Sequence, residues 1–289
     1  MSGNLVPDGE YVMTERDFSN IAAMLEREAG IALPRAKATM AYSRLAKRLR
    51  ALRLNSFAEY CELVAGPGAA TERPHMIQAL TTNLTHFFRE PHHFEHLKTA
   101  MLPKLIAQAR QGRRVRIWSA GCSSGQEPYS IALTLLSVMQ DAAQYDIKIL
   151  ATDIDRNMLK IGHAGIYEAD VLAPVPPDLL QRFFTPVPGA PTTLRASDSL
   201  RDLIAFRPLN LIADWPMQGK FDIIFCRNVV IYFGAETQAN FWSRIVPRLA
   251  PQAALYIGHS ERIVGPAEGA LRSDGVTIYR NFNEAGAAI

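Results

Sequence analysis

Four short apolar runs do most to restrict the fold: "VRIWSAG" from Val115, "IKILATDID" from Ile147, "FDIIFC" at 221–226 and "AALYIG" at 253–258. Each is too short for a helix and nearly unbroken in apolar character, the pattern of a strand covered on both faces. Helical stretches separate them, "SIALTLLSVM", "RNMLKIGHA" and "ETQANFWSRIVPRL". Strand, helix, strand, helix predicts a parallel sheet with helices on both sides. "TIYRNF" is expected as a final edge strand.

The front of the chain has a different grammar, and residues 14–84 read as helices. "TERDFSNIAAMLEREAG" opens with a Thr-x-x-Asp cap pattern and sets Phe18, Ile21, Met24 and Leu25 on one face. A second helix is expected over about Lys37 to Leu54, and a third from Ser56 with Phe57, Tyr60 and Leu63 inward, ending at "GPG". Residues 166–209 are too long for an ordinary crossover and rich in proline ("APVPP", "TPVPGAPTT"). A small inserted β subdomain is expected there, around "TTLRAS" and "IAFRPL". The division is therefore a helical domain over 1–80, a linker over 81–96, and an α/β domain over 97–289 with its insert at about 170–209.

The 48% apolar content suits a globular protein. No stretch approaches the roughly 18 apolar residues of a membrane span, and the opening segment lacks the order of a secretory signal, so a cytoplasmic monomer without direct membrane insertion is expected. Cys61, Cys122 and Cys226 have no CxxC spacing and imply neither a disulfide framework nor zinc. A net charge of +3 argues against a general nucleic-acid binder, but Arg35, Lys37, Arg44, Lys47, Arg48, Arg50 and Arg53 follow one another with no acidic residue between. Such a run either faces solvent or docks an acidic partner.

In an open parallel sheet, ligands gather at the carboxyl ends of the strands. The loop "WSAGCSSGQEP" lies there, with Gly121 and Gly125 free to turn sharply, yet it has neither GxGxxG spacing nor a phosphate-binding lysine. Glu127 at the start of the following helix repels a diphosphate and attracts a cation or amine. Asp153 ends the second strand and can accept from a ribose diol, or cap the helix that follows. Together these features favour S-adenosylmethionine over a dinucleotide.

"LTTNLTHFFRE" (80–90), "RIWSAGCSSGQEPYSIA" (116–132), "ILATDID" (149–155), "NLI" (210–212), "FDIIFCRNVVIYF" (221–233) and "LYIGHSE" (255–261) closely resemble, in order, the chemotaxis receptor methyltransferases of the CheR family. The resemblance implies a Rossmann-like class I methyltransferase sheet behind an all-helical N-terminal domain. It implies methyl transfer from S-adenosylmethionine to glutamate side chains on the cytoplasmic helices of chemoreceptors, leaving S-adenosylhomocysteine. Asn83, Thr85 and Arg89 would touch the cofactor from the lid side, and Gly121, Glu127 and Asp153 would hold its methionyl and ribose parts. Asn210 and Leu211 would lie beside the adenine, and Arg227, Asn228 and Tyr232 would border the methyl group, with Arg89 and Tyr232 as the candidate catalytic pair. Arg44, Lys47 and Arg48 would dock the glutamate-rich receptor helix.

His92 and His96 share a helix face, but no acidic or cysteine partner accompanies them at metal-ligand spacing, and no metal is expected. Two other functions compete: a nucleic-acid methyltransferase, disfavoured by "RNVVIY" where such enzymes carry an Asn-Pro-Pro-aromatic motif, and a non-catalytic module that senses the cofactor or tethers receptors.

Overall fold

The computed structural model describes residues 5, 6, 9–67 and 69–282. They divide between two compact units, Met1–Thr82 with Tyr232–Thr237, and Asn83–Ile231 with Gln238–Ile289. None of the described helices is long and apolar enough to cross a membrane.

The first unit is built from α1 (Glu15–Ala29), α2 (Ala38–Leu52), α3 (Phe57–Ala65) and α4 (Ala69–Leu80). A reciprocal cap starts α1: the Thr14 N–H donates to Asp17 Oδ2 (2.9 Å) and the Asp17 N–H to Thr14 Oγ1 (3.2 Å). Gly30 at φ 71° ends it in the left-handed conformation that suits glycine. The expected inward face, Phe18, Ile21, Met24 and Leu25, is buried. The pattern did not single out α4, because Pro74 interrupts it and its apolar residues form no clear stripe.

The basic run is not free of counter-charge, which corrects its reading as an uncompensated stretch. Arg48 Nε and Nη2 donate to Glu72 Oε1 (2.9 Å) and Oε2 (2.7 Å), and the Tyr60 hydroxyl donates to the same carboxylate (3.0 Å). Arg44 Nη1 donates to the carbonyls of Ala79 (3.3 Å) and Thr81 (2.7 Å), capping the end of α4. Arg35 pairs with Glu15 and Arg50 with Glu10, both at 3.1 Å. The acidic partners come from other segments, so a count along the local sequence overlooks them. Lys47 remains exposed.

The second unit begins with α5 (Pro91–His96), which passes through a π-helical turn at Leu97–Met101 into α6 (Leu102–Arg110). There follow β1 (Val115–Ala120), α7 (Gln126–Val138), β2 (Ile147–Asp153), α8 (Arg156–Ala164) and β3 (Ile166–Glu168). Next come α9 (Pro177–Phe183), β4 (Phe184–Val187), β5 (Ala190–Ala196), α10 (Asp198–Arg201), β6 (Ile204–Pro208) and β7 (Phe221–Cys226). The chain closes with α11 (Ala235–Ile245), β8 (Leu249–Ile257), β9 (Arg272–Gly275) and β10 (Ile278–Arg280).

The main sheet has the order β6-β2-β1-β7-β8-β10-β9. β6, β2, β1, β7 and β8 run parallel, while β10 lies antiparallel to β8 and to β9. Aromatic packing fills one face: Phe225 stacks on Tyr256 with centroids 4.2 Å apart, and Phe94 on Phe225 at 5.8 Å.

Two expectations about strands are corrected. "IAFRPL" does not belong to the inserted sheet, which is β3-β5-β4. It forms β6, paired in parallel with β2 from Ile149↔Ile204 to Asp153↔Pro208, so its end arrives beside Asp153. "TIYRNF" supplies β10, but the edge is β9, whose residues are all exposed and carry no apolar alternation to announce a strand.

The Arg48–Glu72–Tyr60 cluster ties α2, α3 and α4 together, and Glu72→Ala would leave the guanidinium and hydroxyl without their acceptor. Because the Arg48 side chain keeps 27% exposure and can rehydrate, the expected loss is about 2 kcal/mol, read from the urea midpoint of the helical unit.

Candidate active site

Chain order reverses between β1 and β7: β2 and β6 extend the sheet on one side of β1, and the chain then returns to β7 on the other. A crevice at the carboxyl ends of the strands is expected at that reversal. The β1 loop enters it on two glycines that tolerate no side chain. Gly121 has φ 78°, and a Cβ there would lie 2.3 Å from Val229 Cγ2. Gly125 has φ 98°, and its Cβ would meet the Tyr167 hydroxyl at 2.8 Å and Gly162 Cα at 2.9 Å.

Asp153 pins this loop. Its Oδ2 accepts from the Ser123 N–H and its Oδ1 from the Asp155 N–H, both at 2.8 Å. Burial pushes its carboxyl above the ordinary range, and those two N–H groups pull it back. Two accepted bonds leave further lone pairs for a diol. The helix cap considered as its alternative duty is carried by Asp155, which accepts from the Asn157 and Met158 N–H groups. Asn83 joins the cluster: its Nδ2 donates to Asp155 Oδ2 (2.9 Å) and its carbonyl accepts from Ser123 Oγ (3.0 Å). The Leu209 N–H donates to the Asp153 carbonyl (3.0 Å), so Asn210 and Leu211 follow directly on a residue bonded to the end of β2. Thr85 lies two residues beyond Asn83 in the same segment.

Glu127 lies deeper. Its Oε1 accepts from Ser119 Oγ (2.7 Å), and Arg227 Nη1 stands 3.4 Å from Oε2. The Arg227 side chain turns inward beside Glu127, and the residue is 6% exposed. It donates to the Arg89 carbonyl, has its Nε 3.9 Å from Glu90 Oε2, and lies over the Phe94 ring. Burial pushes the Glu127 carboxyl up and the Arg227 guanidinium down, and each charge partly restores the other.

Arg89 and Glu90 are not a solvated pair. Arg89 Nη1 donates to the Leu84 carbonyl (3.2 Å), whereas Glu90 accepts from the His259 N–H (3.3 Å) and faces Arg227. Asn228 holds a left-handed turn at φ 60°. Tyr232 falls in the helical unit, where its carbonyl accepts from the Ala32 N–H (2.8 Å) and Lys37 Nζ lies 5.4 Å from its ring.

Glu90, His92 and His93 hold ligand-capable atoms within 4.8 Å of one another, a different trio from the His92 and His96 pair of the helix pattern. The imidazoles there are engaged, His92 with the Val276 carbonyl (3.2 Å) and His93 with Thr277 Oγ1 (2.9 Å), and Arg227 already supplies Glu90 with a cation. Burial drives His93 down to about 3, so it is neutral at physiological pH.

Sequence reasoning gave no role to Glu90, Ser119 or Glu261. All three lie inside the quoted motifs, but nothing in a linear string shows which groups a side chain will meet.

An open-backbone glycine loop and two carboxylates at adjacent strand ends fit a nucleoside bearing an amino group and a cationic sulfur, and they repel a diphosphate. Fold and site thus define an S-adenosylmethionine-dependent methyltransferase of the Rossmann-like class. Residues 83–278 match the family model described as CheR methyltransferase, SAM binding domain, and residues 16–81 match CheR methyltransferase, all-alpha domain. The chain belongs to the CheR methyltransferase family. It is 51% identical over 258 residues to a probable chemotaxis protein methyltransferase of Rhizobium etli, covering 89% of this chain and 96% of that protein. It is 44% identical to chemotaxis protein methyltransferase 2 of Pseudomonas aeruginosa (93% and 94% covered) and 39% identical to the chemotaxis protein methyltransferase of Escherichia coli (92% and 91%).

Gly121→Ala forces a methyl group against Val229 at a left-handed φ, and is expected to weaken S-adenosylhomocysteine binding by about tenfold or more in calorimetry. Arg227→Met leaves Glu127 buried without its counter-charge. The folded-state pKa of Glu127, already raised, rises further above the unfolded value, so the folded state holds a proton that the unfolded chain releases. The stability deficit of this variant should therefore be smallest near pH 5 and grow towards pH 8, as measured by urea midpoints.

Proposed function

We propose that this methyltransferase esterifies glutamate side chains on the cytoplasmic helices of chemoreceptors. The names of the relatives, chemotaxis protein methyltransferases, support the partner. The observation that carries the carboxylate as acceptor is that Glu127, Asp153 and His259 near the strand ends are each already engaged by groups of the chain itself. Glu127 is taken by Ser119 and Arg227, Asp153 by two N–H groups, and His259 by Glu90. A site so arranged suits an acceptor that arrives already ionised.

A glutamate carboxyl, with an ordinary pKa of about 4.3, meets that requirement at neutral pH without a base. S-adenosylmethionine, when bound, supplies a methyl group on a positively charged sulfur. Transfer of that methyl to a carboxylate oxygen, with cleavage of its bond to sulfur, would leave a neutral ester and a neutral sulfide. Charge is smaller at the transition state than before it, so strong donors gripping the carboxylate would slow the step. The inward turn of Arg227 fits this requirement, since it keeps a guanidinium from the acceptor. What the residues supply is position, and effective molarities of about 10⁵ to 10⁸ M show how much alignment alone contributes.

In this reading Asp153 holds the ribose, with Asn83 and the Gly121 loop enclosing the adenosyl group, Glu127 near the methionyl amine, and Asn210 and Leu211 beside the base. Arg89 orients the cofactor. The role of Tyr232 rests on the family resemblance, and docking on α2 falls to Lys47, since Arg44 and Arg48 serve their own unit.

Labelled methyl transferred to a receptor cytoplasmic fragment is expected to leave as methanol in alkali, as a carboxyl ester does. Alkali-stable label would overturn the proposal. Asp153→Ala should raise the Kd for S-adenosylhomocysteine at least tenfold, because a charge-assisted hydrogen bond contributes about 1.5–3 kcal/mol.

A further inference from the structure

The turn after β7 is organised by a carboxylate from the loop after β8. Glu261, 5% exposed, accepts four backbone N–H groups: Val229 and Val230 on Oε1, both at 2.8 Å, and Asn228 (2.9 Å) and Gly258 (2.6 Å) on Oε2. Three consecutive amides converge on one anion, the arrangement of a backbone nest. The turn cannot approach so closely unless residue 258 lacks a side chain. A Cβ at Gly258 would lie 2.6 Å from Asn228 Nδ2 and 2.8 Å from the Asn228 nitrogen. Glu261 closes its own loop as well, since its N–H donates to the Gly258 carbonyl (2.9 Å).

What this turn carries gives the carboxylate its importance. Asn228 takes φ 60°, a conformation costly for a residue other than glycine and held here by the captured amides. Val229, whose N–H is bound by Oε1, presents the methyl group that occupies the space where a Cβ on Gly121 would stand. A connected path therefore runs from Glu261 through the Asn228–Val230 amides to the β1 loop.

We propose that Glu261 is a positioning residue for methyl transfer: it sets the backbone of Asn228–Val230 and, through Val229, the height of the Gly121 loop against the cofactor. The inference rests on the cofactor site described above but not on the identity of the acceptor.

Glu261→Gln is the informative change, because it is isosteric. Whichever way the amide is oriented, its NH₂ group faces two N–H donors where an oxygen had accepted both. Leu105→Ala, a buried α6 truncation away from the strand ends, serves as a control for lost stability alone. Both variants are assayed well below their melting temperatures, with the folded fraction fixed by circular dichroism. Displacement of the reacting groups by about 1 Å costs about a hundredfold in rate. Glu261→Gln is therefore expected to lower kcat ten- to a hundredfold per folded molecule with an unchanged KM for the acceptor, or to weaken S-adenosylhomocysteine binding by about tenfold. Leu105→Ala should leave both at wild-type values. If Glu261→Gln matches wild type in kcat and in product affinity and differs only in melting temperature, the proposal is overturned. Wild-type protein that binds S-adenosylhomocysteine but does not methylate a receptor fragment would count against the acceptor instead, and the affinity comparison would still test Glu261.

Discussion

A guanidinium removed from water sets the terms for the second unit. Arg227 directly follows the central strand β7 and can stay charged in the interior only if acceptors are brought to it. Glu127 comes from α7, while Glu90 and the Arg89 carbonyl come from the segment preceding α5. Phe94 and Phe225 cover the guanidinium faces. Each partner belongs to a different stretch of chain, so the demand for counter-charge at one atom group draws the linker, the β1 loop helix and the sheet into a single arrangement. The left-handed conformations of Phe88 and Glu90 lie in the linker at that junction. Residues other than glycine hold such angles only when their surroundings over-determine them.

The other carboxylates of the strand ends follow a related economy. Asp153 organises the end of β2 and the β1 loop, and Glu261 the turn after β7, each by accepting backbone N–H groups. Buried amides that no ladder can satisfy need such partners. The end of β2, the β1 loop and the turn after β7 are thus held by the chain's own hydrogen bonds. In the proposed methyl transfer to a carboxylate opposite charges cancel, so there is little developing charge to stabilise and much to gain from fixed geometry.

Much of this was legible in the chain. The apolar runs predicted the parallel strands because a strand covered on both faces has no polar alternation to hide it. Glycines at 121 and 125 announced a sharp loop, and Asp153 at the end of its strand announced an acceptor. Less legible were the edges and the pairings. β6 reads as part of the insert because a long proline-rich connection precedes it; in the structure it is a sheet edge whose outer half is exposed. β9 has no buried residue at all. The basic run looked uncompensated because Glu72, Glu15 and Glu10 meet it only after the helices pack.

By itself the sequence determined the strand and helix alternation, the helical front unit and the kind of ligand that the glycine loop and its carboxylates could accept. These depend on periodicity, local conformational freedom and charge, which act over a few residues. Only the tertiary structure decided where Arg227 points, which amides Glu261 collects and which basic residues of α2 stay exposed. Such outcomes turn on desolvation and on partners 24 or more residues away, as with Arg48 and Glu72, Arg227 and Glu127 or Asn228 and Glu261, and a linear pattern holds no record of distance in space.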